Sequence, residues 1–330
     1  MRALITGITG FAGTHLARHL LTQGDDLLGI TQHPSATPLP RLLPPNLELL
    51  TWDLTTPCPD SVRRRIDEFE PEAIYHLAAI SHPLQCRATE LSPTVERPSE
   101  LAMRLNVGGT VSIAWLASEL SAPPTVLFAS SSHVYPLPDP ARPVVDERTA
   151  AIPRDAYGET KLLAERQLER LARTHGFPAI IARAFKHAGP GQRPDFMLAE
   201  WALQAARGGP VRARWPESQI DLTDVRDIVV AYRLLIEHGK PGTIYNVGSG
   251  VNRRCGDICQ ALCDIAQVRY DDSASLDSAS LNSASLNSPS PRPHQEPIAN
   301  ITRLTLDTGW HPKISLAQTL RDTLQQTGDH

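Results

Sequence analysis

The sequence predicts an α/β fold, a doubly wound parallel sheet with a smaller C-terminal domain. Two observations predict it. Short apolar, strand-like runs alternate with amphipathic helical stretches through the first half of the chain, and such crossovers return across a parallel sheet with helices on both faces. A glycine-rich turn, Gly7-Ile8-Thr9-Gly10-Phe11-Ala12-Gly13, directly follows the first strand and opens the first helix.

Taken in order, Ala3–Thr6 reads as a strand and Thr14–Thr22 carries apolar residues at helical spacing. Leu27–Thr31 and Leu47–Thr51 read as strands, Ser61–Phe69 as a helix and Ala73–Leu77 as a further strand. A long helix over Glu100–Leu120, a strand at Thr125–Ala129, a second long helix over Tyr157–His175 and a strand at Ala179–Arg183 follow. The rhythm breaks at Gly189-Pro190-Gly191-Gln192, then resumes with the helix Val225–His238 and the strand Ile244–Val247, both expected to return to the main sheet. Residues 1–185 and 222–249 are thus expected to form the main domain, and 186–221 with 250–330 the smaller one. Residues 273–290 repeat SASLD, SASLN, SASLN before SPSP; with too little apolar content to fold alone, they read as an insertion.

The net charge of −4 gives no reason to expect nucleic acid or an acidic membrane as partner. No apolar run approaches the roughly 20 residues of a membrane helix. The chain enters its first strand at once, which leaves no room for a signal peptide and suggests a cytoplasmic protein. Cys255, Cys259 and Cys263 lie along one helix face; zinc pairings use shorter knuckles, so buried core thiols are expected and no metal.

Glycines at the first turn permit positive φ and let the backbone approach a pyrophosphate, to which the helix N-terminus presents unpaired N–H groups. The second strand ends Gly29-Ile30-Thr31-Gln32-His33, with no carboxylate for the ribose hydroxyls. Repulsion against a 2′-phosphate is therefore absent, which favours NADP(H) and keeps NAD(H) as the alternative. Asp53-Leu54, after the third strand, is placed to touch an adenine; Asp53 reads equally well as a turn cap. Tyr157 and Lys161 stand four apart on one helix face, where the ammonium is expected to lower the tyrosine pKa for proton transfer. The serine run Ser130-Ser131-Ser132 follows an apolar strand and can hydrogen-bond a reacting carbonyl.

These residues carry a resemblance. TGITGFAG, YHLAA, LNVGGT, SSSHVY and YGETK resemble the extended short-chain dehydrogenases/reductases, the NAD-dependent epimerase/dehydratase family. The segments from Arg183 to Gln192 and Leu222 to Val229, with Tyr245–Gly250 and Thr308–Pro312, extend the pattern over nearly the whole chain. Within the family it is most similar to the GDP-4-dehydro-6-deoxy-D-mannose reductases. The resemblance implies a Rossmann-type sheet, a nucleotide-sugar-binding C-terminal domain, a homodimer through the two long helices, and reduction of a 4-keto-6-deoxy sugar. Nucleotide-sugar 4-epimerase with tightly bound NAD is the alternative, and a non-catalytic NADP(H)-sensing protein the alternative of another class. By position, Ser131, Tyr157 and Lys161 would be catalytic. Gly7, Gly10, Phe11, Ala12, Gly13, Asp53, Leu54, Leu77, Ala78, Ala79 and Asn106 would line the dinucleotide, together with Tyr157 and Lys161. Ser132, His133, Lys186 and Arg292 would meet the substrate. The sequence departs from the family at Lys186, where asparagine is usual; at Ile220, where arginine is frequent; and at His133, where dehydratases place a glutamate.

Overall fold

The computed structural model describes residues 1–32, 43–88, 97–272 and 294–328. The first half alternates as the sequence pattern requires: β1 (Arg2–Thr6), α1 (Phe11–Thr22), β2 (Asp26–Thr31), β3 (Leu49–Thr51), α2 (Asp60–Phe69), β4 (Ala73–His76). A short α3 (Glu100–Ala102) runs through a π turn, Met103–Gly108, into α4 (Gly109–Glu119), where one uninterrupted helix was expected. Then come β5 (Thr125–Ser131), β6 (Val144–Val145), α5 (Ala156–His175) and β7 (Ala179–Ala184). The remainder comprises β8 (Lys186–Ala188), α6 (Met197–Ala206), β9 (Gln219–Asp224), α7 (Val225–His238), β10 (Thr243–Val247), β11 (Asn252–Arg254), α8 (Cys255–Ala266), β12 (Ile298–Ala299), α9 (Thr302–Thr308) and α10 (Leu316–Gly328).

Seven strands form the main sheet in the order β10-β7-β5-β4-β1-β2-β3, and every neighbouring pair is parallel. This is the Rossmann-type arrangement; the order reverses between β1 and β4, and in such sheets ligands lie outside the carboxyl ends of the strands at that point. Alternate residues serve opposite faces. Ala3, Ile5, Tyr75, Leu127 and Ile180 face α1 and α7, whereas Leu4, Ile74, Val126, Phe128 and Ile181 face α2, α4 and α5.

A second, three-stranded sheet, β11-β9-β8, carries a separate core with α6, α8 and α10. Ile220 and Leu222 of β9 enter it with Trp201, Ile258 and Leu262, so Ile220 is a core residue. Cys255, Cys259 and Cys263 are buried in the same core as free thiols. The main sheet receives β10 as expected, but β9, just before α7, belongs to the small sheet; residue 222 lies inside it. The repeat at 273–290 lies outside the described residues.

Two buried polar clusters hold these parts together. Asp221 accepts hydrogen bonds from the N–H groups of Ser249, Gly250 and Ala299 and from the Ser249 hydroxyl, so one carboxylate joins β9 to the turn after β10 and to β12. Beneath the carboxyl end of β5, Arg183 makes a two-pronged pair with Glu165 at 2.9 and 2.7 Å. Ser130 donates to the same carboxylate, and Arg183 also donates to Tyr135, whose hydroxyl donates to Asn246. The pair thus links α5 to β5, β7 and β10.

Removing one partner of such a pair leaves a buried charge uncompensated, at about 3–5 kcal/mol. Glu165→Gln is therefore expected to lower the unfolding free energy by that amount in urea titration. The double variant Glu165→Leu/Arg183→Met is expected to recover most of the loss.

Candidate active site

The turn after β1 is closed by its own backbone, with the Gly10 N–H donating to Gly7 O at 2.9 Å and the Thr14 N–H to Gly10 O at 2.9 Å. Gly7 has φ +71°, and a Cβ there would lie 2.8 Å from the Ala78 backbone; at Gly13 a Cβ would lie 2.1 Å from the Gly7 carbonyl. Only glycine fits either place. Gly10 caps α1 without a side-chain hydrogen bond, and the first turn holds no acidic residue. The N–H groups of Phe11, Ala12 and Gly13 are accordingly uncapped by any side chain, and the turn fits a pyrophosphate.

The residues expected beside this turn divide into two groups. Leu77–Ala79 follow β4 directly, with the Leu77 and Ala78 N–H groups bonded to Thr6, so this loop runs against Gly7. Asn106, in the π turn, is 1% exposed; its carboxamide is bonded to both backbone groups of Ile80 and to Thr160. It clamps the loop to α5 rather than lining the groove. Asp53 acts as the cap of its own turn, accepting from the Thr55 N–H and hydroxyl, and it also accepts from Gln32. The Thr55 hydrogen bonds hold its carboxyl below the usual range. Leu54 is buried in the core against α4. His33 and Arg292 lie outside the described residues.

Ser131 ends β5, and Tyr157 and Lys161 occupy the first two turns of α5. The three are brought together. Ser131 favours the Tyr157 phenolate, against the larger effect of burial, and the Lys161 ammonium donates to Ala129 O at 2.8 Å while lying 5.9 Å from the tyrosine ring centre. Burial pushes the Lys161 pKa down to about 8. Burial also raises that of Tyr157, and Lys161 does not offset it: the ammonium is bonded to the strand, so the expected lowering is not found. Tyr157 is a neutral phenol at neutral pH.

Sequence reasoning missed the residues that orient this cluster. Asp155 caps α5 through the Gly158 N–H at 2.7 Å and bonds His133 Nδ1 at 2.6 Å. Burial opposes its charge, but these hydrogen bonds keep its carboxyl below the usual range. Burial, then the nearby Arg154, lowers the His133 pKa, so the imidazole is neutral with Nδ1 as donor and packs edge-on against Tyr157. An aspartate just before a helical apolar run is a cap signal that could have found Asp155.

Of the residues expected to meet substrate, Ser132 is buried at the start of a 3₁₀ turn. Lys186 is not a free cation: its ammonium pairs with Glu296 at 3.1 Å, and Arg154 and His294 reach the same carboxylate at 3.5 and 3.6 Å. Burial opposes the charge of Glu296, but the cations, Lys186 foremost, hold it well below the ordinary range. One guanidinium nitrogen of Arg154, NH1, is buried without a hydrogen-bond partner among the described residues. Glu296 follows the repeat, and nothing in the local pattern announced it.

The family model described as "NAD dependent epimerase/dehydratase family" matches residues 3–248. The chain is 30% identical to GDP-6-deoxy-D-mannose reductase of Pseudomonas aeruginosa, over 98% of this chain and 96% of that one. It is similar to the structure of RMD from Pseudomonas aeruginosa complexed with NADPH, with a TM-score of 0.75, 26% identity and 99% of each chain covered. The UDP-glucuronic acid 4-epimerase of Bacillus cereus shares the fold at a TM-score of 0.81 and 21% identity, covering 100% of this chain and 99% of that one.

If the glycine turn holds a dinucleotide, Gly13→Ala must open it. NADPH affinity, read by fluorescence titration, is expected to fall about tenfold or more while the far-UV spectrum stays that of the folded chain.

Proposed function

The chain belongs to the NAD dependent epimerase/dehydratase family, and from that premise we propose that it is an NADP(H)-dependent nucleotide-sugar oxidoreductase. In this reading it reduces the C4 keto group of a nucleotide-linked 4-keto-6-deoxy sugar, converting GDP-4-dehydro-6-deoxy-D-mannose to GDP-D-rhamnose. The observation that carries this reading is the likeness to GDP-6-deoxy-D-mannose reductase along 98% of the chain. The absence of a carboxylate at the end of β2, where Gln32 stands, supports NADP(H) over NAD(H).

A nicotinamide held here would supply a hydride for the keto carbon. The residues of the chain handle the proton and the oxygen. Tyr157, kept as a phenol by burial, gives its proton to the developing alkoxide. Ser131 donates a hydrogen bond to the same oxygen as charge gathers there. Lys161, anchored at Ala129 O, presents its charge near the tyrosine and would hold the nicotinamide ribose. Gly7, Gly10 and Gly13, with the N–H groups of Phe11 and Ala12, would hold the pyrophosphate. Lys186 and Arg154, gathered on Glu296, form the cationic wall toward the sugar diphosphate, with His133 beside the ring. The family resemblance brings Arg292 to the same diphosphate. We infer also a homodimer through the helical stretch from Glu100 to Leu120 and α5; Leu101 of α3 and Trp115 of α4 stay 58% and 43% exposed.

The test is NADPH oxidation, followed by absorbance, with GDP-4-dehydro-6-deoxymannose and with the dTDP-linked 4-keto-6-deoxyglucose. Oxidation with the GDP sugar alone is expected; none with either, in folded protein that binds NADPH, would sink the substrate assignment. Tyr157→Phe is expected to bind NADPH normally and to lose roughly 10²–10⁴-fold in kcat.

The pH profile has a definite sign. Lys161 is cationic below its pKa of about 8 and neutral above it, while Tyr157 stays protonated throughout. Reduction is expected to hold level through neutral pH and to decline above pH 8. Lys161→Met should show no such alkaline limb, whatever its residual rate.

A further inference from the structure

A cavity of about 260 Å³ opens on the small sheet between β9, the turn before β11 and the segment leading into α10. None of the residues that line it belongs to the cluster around Tyr157 or to the glycine turn. Its volume is that of roughly nine water molecules, room for an anion bearing a few carbon atoms.

Two of its lining side chains are cations with no carboxylate partner among the described residues, Arg253 and Lys313. Other arginines near this sheet, such as Arg212, Arg226 and Arg254, are paired with carboxylates. Arg253 is also held in place. Its NH1 donates to the Ser249 hydroxyl at 3.0 Å and to the carbonyls of Leu222 and Val251 at 3.3 and 3.4 Å. Its Nε and NH2 make no hydrogen bond among the described residues, so one edge of the guanidinium is fixed and the other is unspent. Burial lowers its pKa, and the nearby Asp221 carboxylate offsets only part of that effect. Thr223 lines the same cavity, 4% exposed, but its hydroxyl is buried out of reach of water and is not a donor that the cavity presents.

The carboxylates nearby are already satisfied. Asp224, which also lines the cavity, is bonded by Arg226 through two nitrogens and by Thr319. Asp221 lies behind Ser249, with four donors of its own. A guanidinium edge and an exposed ammonium therefore remain at the cavity with no carboxylate partner among the described residues. A planar fork with further donors suits an oxyanion of more than one charge.

We propose that this cavity is a second binding site, for a phosphate group, either free or as a small phosphomonoester. Arg253 grips the phosphate through Nε and NH2, and Lys313 closes the open side. The proposal does not depend on which sugar the enzyme reduces.

The test titrates NADPH-saturated protein, so that the dinucleotide site is filled, with inorganic phosphate, glycerol 3-phosphate and glycerol, against chloride at matched ionic strength. Calorimetry and thermal unfolding are read together. Binding of both phosphates and not glycerol is expected, with a rise in Tm of several degrees. Preference for one of the two identifies free phosphate or the ester as the occupant. Arg253→Leu should abolish the binding, Arg253→Lys should weaken it about tenfold, and Lys313→Met about threefold. Should Arg253→Leu fail to fold, the lysine and methionine variants decide. No binding at 10 mM phosphate, or equal binding in wild type, Arg253→Lys and Lys313→Met, overturns the site.

Discussion

The attachment of one helix to one strand end is the constraint on which the rest of the site depends. Tyr157, Lys161 and Glu165 recur every four residues along α5 and form a single buried stripe. Lys161 is tied to the carbonyl of Ala129, and Glu165 to Ser130 and Arg183. β5 therefore receives the helix at two successive residues, and Ser131 comes next. The tyrosine at the head of the stripe has little freedom left, because its position is set by two charged side chains below it. The Arg183–Glu165 pair is expensive to bury, and hydrophobic side chains of similar volume could fill the space at no loss of stability. What an apolar pair would not reproduce is the registry between α5, β5 and β7.

Much of this was legible in the sequence because it rests on periodicity and on glycine. The main sheet follows from alternating strand and helix patterns, and the turn at residues 7–13 from the steric demands of its backbone. Asp155 was legible in principle as a helix cap, and β9 as a strict alternation in Gln219-Ile220-Asp221-Leu222-Thr223. The π turn was not. A helical repeat looks the same whether or not one residue is wedged into it, and only the bonds of Asn106 to Ile80 and Thr160 show why it is there. The Tyr157 pKa was misread for a related reason. Spacing on a helix gives proximity of two side chains, but the direction of the ammonium and the depth of burial decide the electrostatics.

The cationic wall shows the same limit. Lys186 read as a point charge for a phosphate, and it is an ion pair whose partner lies 110 residues further along the chain. Glu296 collects Lys186, Arg154 and His294, so the wall carries less net charge than a count of its cations suggests. A strongly attractive surface would hold a nucleotide diphosphate in any position. A wall partly neutralised from within favours a ligand whose own donors and acceptors match it.

The small sheet grips the chain on both sides of the five-residue repeat. Before it, the Asp271 N–H bonds Val211 O, and its carboxylate pairs with Arg212. After it, the Gln219 N–H bonds His294 O, the Glu296 N–H bonds Gln219 O and Ala299 is held by Asp221. Whatever path residues 273–293 take, their two ends are fixed by contacts made outside them. Loop-closure entropy varies only with the logarithm of length, so losing or gaining one repeat unit changes it by a few tenths of a kcal/mol. With both ends held from outside, the length of the tract between them is a parameter to which the fold is nearly indifferent.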